Sequence, residues 1–326
     1  MISEMLSQNL AQARSNTYRL FGQLFLHGLT ADSLPFVNAI PELASTLPDT
    51  FDSDNAAADH FHLFGLNLFP FESIFLHEDS LPGTALTQDV ATYYRLAGFD
   101  PEAYTESPDH IGIELALLAF LSGAESDAHE DDQRQHIQRI QDIQRRFLDD
   151  HLLPWLLPLV QAIQRQQQPF YAALATLTLD IVSDHRAALG ADLMTKPVTF
   201  RLPSPPDLLQ SENTGLKDIA THLLTPVYSG FYLSRDDVAR LARHHNLPHG
   251  FGNRQQMLAN LLHAAADYDR LPALLSDLDK LLLDRQQTFE THITAVSPLD
   301  RIAAAWHERI ANTRSLLDHM QEAARP

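Results

Sequence analysis

The sequence contains no cysteine. That one absence excludes disulfides, thiolate zinc sites, cysteine-ligated iron–sulfur clusters and a cysteine nucleophile. It leaves the compartment open, because a cytosolic protein does not need cysteine. Glycine is scarce, 12 in 326 residues, and runs of β-branched residues are few, so helices are expected throughout. The phosphate-cradling, dinucleotide, nucleophile-elbow and HExxH zinc signatures are all missing. No apolar run reaches the roughly 18 residues that a bilayer span needs, and LLPWLLPLV is too short. The N-terminus shows no cationic region followed by an apolar stretch, so a cytoplasmic chain without a secretory signal or stable membrane insertion is the expectation. Basic residues are in short supply: 23 Lys and Arg against 42 Asp and Glu, a net charge of −19. A general nucleic-acid binder would need a cationic face, so that class is excluded.

What is present is 44% hydrophobic residues, enough for a core in one large domain or two smaller ones. Charge is uneven. Residues 1–200 hold 10 basic against 27 acidic residues, a net of −17, whereas 201–326 hold 13 against 15, a net of −2. The first helix runs from about Ser3 to Gly28, with Leu6, Leu10, Ala13, Thr17, Leu20 and Leu24 as its apolar stripe. Further helical patterns cover 32–47, 54–69, 86–98, 109–122, 126–152, 155–167 and 169–189, with Pro or Gly at most junctions. The segment 196–206, KPVTFRLPSPP, carries four prolines and cannot be helical. It marks the expected boundary between residues 1–200 and a helical extension, 207–326. In the extension, Asn253 with Gln256 reads as a capping box. Stripes follow at Met257–Ala265, Leu271–Leu282 and Ile302–Leu317.

Three stretches stand out chemically. In Glu106-Ser-Pro-Asp-His-Ile-Gly-Ile-Glu-Leu115, Pro108 enters a helix, Asp109 caps or stabilises its positive end, and His110 and Glu114 share a face. A capped helix with a solvated polar face is the plainer reading. The sharper one is a surface of Asp109, His110 and Glu114 that receives a guanidinium. In Pro70-Phe-Glu-Ser-Ile-Phe75, Glu72 and Ser73 sit in an apolar turn, where Glu72 either caps the next helix or edges a groove. In Phe147-Leu-Asp-Asp-His-Leu-Leu-Pro-Trp155, Phe147 and His151 share a helix face, and Trp155 follows the break expected at Pro154. Such pairs are most often core, with the histidine satisfied by a carbonyl or carboxylate.

Together these stretches resemble the TorD/DmsD/NarJ family of chaperones for molybdenum-cofactor oxidoreductases. The pattern E-x-P-D-H-(I/L)-x-x-E-L is met at 106–115, P-(Y/F)-E-S-(V/I)-(Y/F) at 70–75, and F-x-x-x-H-L-x-x-W at 147–155. An N-terminal Y-x-x-L-x-x-x-(F/Y) fits Tyr18, Leu20–Phe21 and Phe25 loosely. The resemblance spans about residues 10–190 and implies an all-α chaperone domain, with residues 207–326 as a helical extension of unassigned role. It further implies a cytoplasmic protein without catalytic turnover. Such a protein binds the twin-arginine leader or the apo form of a molybdoenzyme and holds it for cofactor insertion before export. Carried over by position, Pro108, Asp109, His110 and Glu114 form part of the leader-binding surface, Phe71, Glu72 and Ser73 lie near it, and His151 and Trp155 support it. No cofactor is implied, beyond the weak guanine-nucleotide binding proposed for some members. A homodimer is compatible with the family. The acidic first part complements the two guanidiniums of such a leader.

Two other classes compete: a metal-assisted hydrolase built on Asp109, His110 and Glu114, and a helical adaptor in which 207–326 binds a different partner. His244, His245 and His249 cluster, but Pro248 interrupts helical pairing of His245 with His249, so surface histidines are expected there rather than a metal site. Glu130-Asp131-Asp132 reads as a solvated helix start. The aromatic segment Thr225–Tyr232 reads as a non-helical plug between helices.

Overall fold

A computed structural model describes residues 2–190, 200–209, 214–293 and 299–324; residues 196–199 of the proline-rich segment lie outside them. The fold is all-α, with no strand among the described residues. The first helix, α1 (Ile2–His27), is followed by the short α2 (Leu34–Asn38) and α3 (Pro41–Ala44), then α4 (Ser53–His60), α5 (Glu72–Leu76) and α6 (Ala85–Ala97). Helices α7 (Ile111–Glu130), α8 (Arg134–Phe147), α9 (Leu153–Gln164) and α10 (Pro169–Ala188) complete the first part. No described helix is long and apolar enough to cross a membrane.

The central contact is the crossing of α1 with α7. A β-carbon on Gly22 would lie 2.8 Å from the Gly112 carbonyl oxygen, and one on Gly112 2.8 Å from that of Gly22. Only glycine at both positions lets the backbones meet there. Ser15 Oγ donates to the Ala119 carbonyl at 2.8 Å along the same seam. The face α1 buries includes Ala11, Ser15, Tyr18, Phe21, Leu24 and Phe25. The expected stripe is therefore met at Leu24 but not at its start, since Leu6 and Leu10 are 64% and 51% exposed. Tyr18 reaches across to His185 Nδ1 on α10 at 2.9 Å.

Two expected helices differ in form. The pattern at 126–152 is interrupted: α7 ends at Glu130, Asp132 takes a left-handed φ of 52°, and α8 starts at Arg134. Glu130-Asp131-Asp132 therefore closes a helix instead of starting one. Pro154 does not break the chain. The turn before it, Leu148–Leu152, is a π-helix that joins α8 to α9 without leaving the helical path. A widened turn absorbs a proline that an unbroken α-helix would reject.

The extension comprises α11 (Leu216–Leu224), α12 (Pro226–Ser229), α13 (Arg235–His245), α14 (Arg254–Asp267), α15 (Leu271–Ile293) and α16 (Asp300–Ala323). Its three apolar stripes are mostly buried, and the capping box at Asn253 and Gln256 is present. Buried contacts join it to the first part. Tyr232 stacks on Phe75 with ring centres 5.4 Å apart and donates to the Asn67 carbonyl at 3.0 Å. Arg165 pairs with Asp237 at 2.8 Å, and Arg309 holds the carbonyls of Leu202 and Pro203. The segment 225–232 is not the non-helical stretch expected, since Pro226–Ser229 form α12, but it does plug the space between helices, with Phe231 and Tyr232 buried. A single hydrophobic cluster runs through both parts, so residues 1–200 and 207–326 are tied by packing as well as by the connecting chain.

Candidate functional site

The start of α7 and the turn before α5 are laced together residue by residue. The Glu72 amide donates to the Asp109 carbonyl at 2.9 Å and the Ile111 amide to the Pro70 carbonyl at 3.0 Å, making an isolated antiparallel bridge between Phe71 and His110. The two rings meet edge to face at 5.0 Å. Asp109 does not cap α7. Its carboxylate accepts from the Ser73 amide at 3.1 Å and from the Ser107 hydroxyl. The cap is His110, whose Nδ1 accepts from the Gly112 amide at 3.0 Å. Burial lowers the His110 pKa to about 3 despite the pull of Asp109, so the ring is neutral and free to accept at Nδ1.

Glu72 neither caps α5 nor edges a groove. Its buried carboxylate faces His151, whose Nδ1 lies 3.1 and 3.2 Å from the two oxygens. The His151 ring is clamped by Tyr93 at 4.8 Å and Phe147 at 5.5 Å. Tyr93 donates to the exposed Asp150, and Tyr94 donates to the Pro108 carbonyl. Glu114 is fully buried, and both of its oxygens lack a hydrogen-bond partner. Trp155 faces it without closing a well-formed hydrogen bond from its indole. Burial, reinforced by Glu72 and Asp109, holds the Glu114 carboxyl well above the usual carboxylate range. Burial raises Glu72 too, with His151 offsetting part of the effect. His110 and Glu114 share a helix face but make no side-chain hydrogen bond to each other.

The structure thus brings all nine anticipated residues into one cluster. It does not place Asp109, His110 and Glu114 on a solvated face: each is at most 5% exposed. Phe71 and Pro108 are half-buried and Glu106 is exposed, so these are the positions that reach the surface. Nor do the ligand atoms of Asp109, His110 and Glu114 converge on a common point as a metal-assisted hydrolase would require. Sequence reasoning missed Tyr93 and Tyr94, which fix His151 and Pro108; the adjacent tyrosines before Gly98 carry no pattern that marks them. Beside the cluster lies a cleft of about 190 Å³ between α1 and α7. Phe99, Tyr104, Phe120, Gly112, Arg19 and Gln23 are among the residues that line it.

The buried cluster falls within residues 30–161, which match the family described as nitrate reductase delta subunit; the α1 side of the cleft, Arg19 to Gln23, lies outside them. That match supports the resemblance to molybdoenzyme maturation chaperones drawn from the three motifs. All nine cluster residues, from Phe71 to Trp155, lie inside the match. Residues 162–326, including the whole extension, lie outside it. No curated protein matches the chain. The match supports a chaperone role in the maturation of redox enzymes.

Proposed function

We propose that the protein is a non-catalytic chaperone that holds the precursor of a molybdenum-cofactor oxidoreductase in the cytoplasm, engaging its twin-arginine leader, until the cofactor is inserted. The observation that carries this reading is the buried cluster of Glu72, Asp109, Glu114 and His151 directly beneath Phe71 and Pro108. The cluster fixes the shape of that surface. The exposed Glu106, Asp89 and Asp150 around it supply carboxylates for guanidiniums. The aromatic cleft lined in part by Gly112, two residues beyond His110, suits the apolar stretch that follows the arginines in such a leader. The buried members then act as positioning residues, and Phe71, Pro108 and Glu106 make the contact.

The test is fluorescence anisotropy of labelled twin-arginine leader peptides against the full chain. Binding is expected at low salt and should weaken as ionic strength rises, because exposed charges are screened. Phe120→Asp places a charge in the cleft at an accessible position. It should weaken binding by about 10-fold or more while leaving the circular dichroism unchanged. Absence of binding to every leader tried at low salt would sink the leader reading. Binding only to the apo-enzyme body would move the contact to the mature part of the client.

A further inference from the structure

We propose that His244, His245 and Asp277 form a binding site for one divalent transition-metal ion, zinc by its chemistry, which ties the C-terminal end of α13 to α15. The Nε2 atoms of both histidines approach the same carboxylate oxygen, Asp277 Oδ2, at 3.3 and 3.0 Å. The two rings stand nearly perpendicular, 86° apart with centres at 5.0 Å. All three candidate ligand atoms lie within 4.8 Å of one another. Metal bonds of about 2.0–2.1 Å in a tetrahedron put ligand atoms roughly 3.3 Å apart, and the two nitrogen–oxygen separations, 3.3 and 3.0 Å, lie at and just below that value.

The direction of the nitrogens separates this arrangement from a plain ion pair. His245 Nε2 is buried and makes no hydrogen bond, although the carboxylate oxygen is 3.0 Å away. The nitrogen is therefore aimed off the line to that oxygen, as in a chelate, where both atoms point at a third. The other oxygen, Asp277 Oδ1, accepts from Lys280 Nζ at 2.8 Å. That bond orients the carboxylate while leaving Oδ2 for the ion, the kind of outer contact that holds metal ligands in place. His245 is the last residue of α13, and Asn246 ends the helix in the left-handed region at φ 53°. The dipole of the helix gives that end partial negative charge, which favours a cation. Two imidazoles and one carboxylate are a borderline donor set suited to zinc. The 71% exposed His244 side chain leaves the fourth position open to water.

The site is tested on the tag-free full chain, stripped with chelator and titrated with zinc against a chromophoric competitor. One equivalent is expected to bind and to raise the melting temperature. His244→Ala, at an exposed position, and Asp277→Asn should each weaken zinc binding by at least about 10-fold and remove the thermal shift. Absence of one-equivalent binding by the unaltered protein would overturn the proposal. So would undiminished binding by a folded His245→Ala, Asp277→Asn double variant.

Discussion

The indole of Trp306 donates its Nε1–H to the carbonyl of Pro154 at 2.8 Å, across 152 residues of sequence. In an unbroken helix that carbonyl would accept from the amide four residues on, but residue 158 is a proline inside α9 and has no N–H. A residue of the extension thus satisfies a buried acceptor that the helix carrying Trp155 cannot satisfy itself.

Trp306→Phe is therefore expected to cost about 1–3 kcal/mol, because it leaves that carbonyl unpaired. Pro158→Ala returns a donor to the helix, so adding it to Trp306→Phe should recover part of the loss. A double-mutant cycle from urea unfolding measures this, and strict additivity of the two changes would refute the account.

The same packing bears on the extension. Removing 207–326 would uncover Phe75, bare the Pro154 carbonyl and strip Asp237 from Arg165. The fragment 1–206 is expected to bind an apolar dye and self-associate where the full chain does not. Size-exclusion chromatography showing a monodisperse, cooperatively melting fragment would show that the first part folds alone.

His151 faces the buried Glu72 carboxylate. His151→Ala should destabilise by about 3–5 kcal/mol at neutral pH, since it strands a buried acid. His151→Gln keeps a donor and should cost clearly less. Equal losses in the two variants, read from denaturant midpoints, would mean that ring packing against Tyr93 and Phe147 matters and the pairing does not.

Glu114 gives a prediction with a definite sign. Its folded-state pKa is raised by burial, with Glu72 and Asp109 adding to the effect. Above about pH 4.5 the unfolded chain releases this proton while the folded chain keeps it, so this group's contribution to stability falls as pH rises. Glu114→Gln removes that dependence. The variant should gain stability relative to the original chain between pH 5 and 8, and the gain should grow with pH. His110, with its pKa lowered to about 3 by burial, works in the opposite sense and loses stability as pH falls below about 6.5.

The residues of the candidate site were legible in the sequence because three short patterns named them, but their environment was not. Asp109, His110 and Glu114 are polar, and a polar run at a helix start reads as solvated. Only the bridge from Phe71 to His110, formed between segments 39 residues apart, puts them inside. The displaced face of α1 has a similar cause. The leucine spacing names one stripe, of which Leu24 is buried beside the glycine crossing; towards Leu6 and Leu10 the neighbouring face turns inward instead. Asp277 could not be paired with His244 and His245 from the chain alone, because no local spacing links α13 to α15.

Asp237 offers the clearest view of how the extension is locked to the first part of the chain. It is buried at the start of α13, where its carboxylate accepts from the Ser234 amide and hydroxyl at 2.9 Å each, closing a capping box. Arg165, beyond the end of α9, reaches the other oxygen at 2.8 Å, and Arg240 joins it there. Burial alone would raise the pKa of this acid, but the Arg165 charge and hydrogen bond, with Ser234 and Arg240, hold it below the usual carboxylate value. A lowered folded-state pKa contributes stability above the unfolded value, about 3.9, and that stability is lost as pH falls through the folded value. Asp237→Asn keeps the size of the side chain but leaves Arg165 half-buried without a counter-charge. It should cost about 3–5 kcal/mol at pH 7, and the difference from the original chain should shrink as the pH is taken below about 4. Arg240→Ala, whose side chain is more exposed than that of Arg165, should cost less than 1 kcal/mol. Urea unfolding of the three chains at pH 7 and pH 3.5 measures both effects. A cost for Asp237→Asn that stays constant across that range would assign the loss to packing and remove the ion pair from the account.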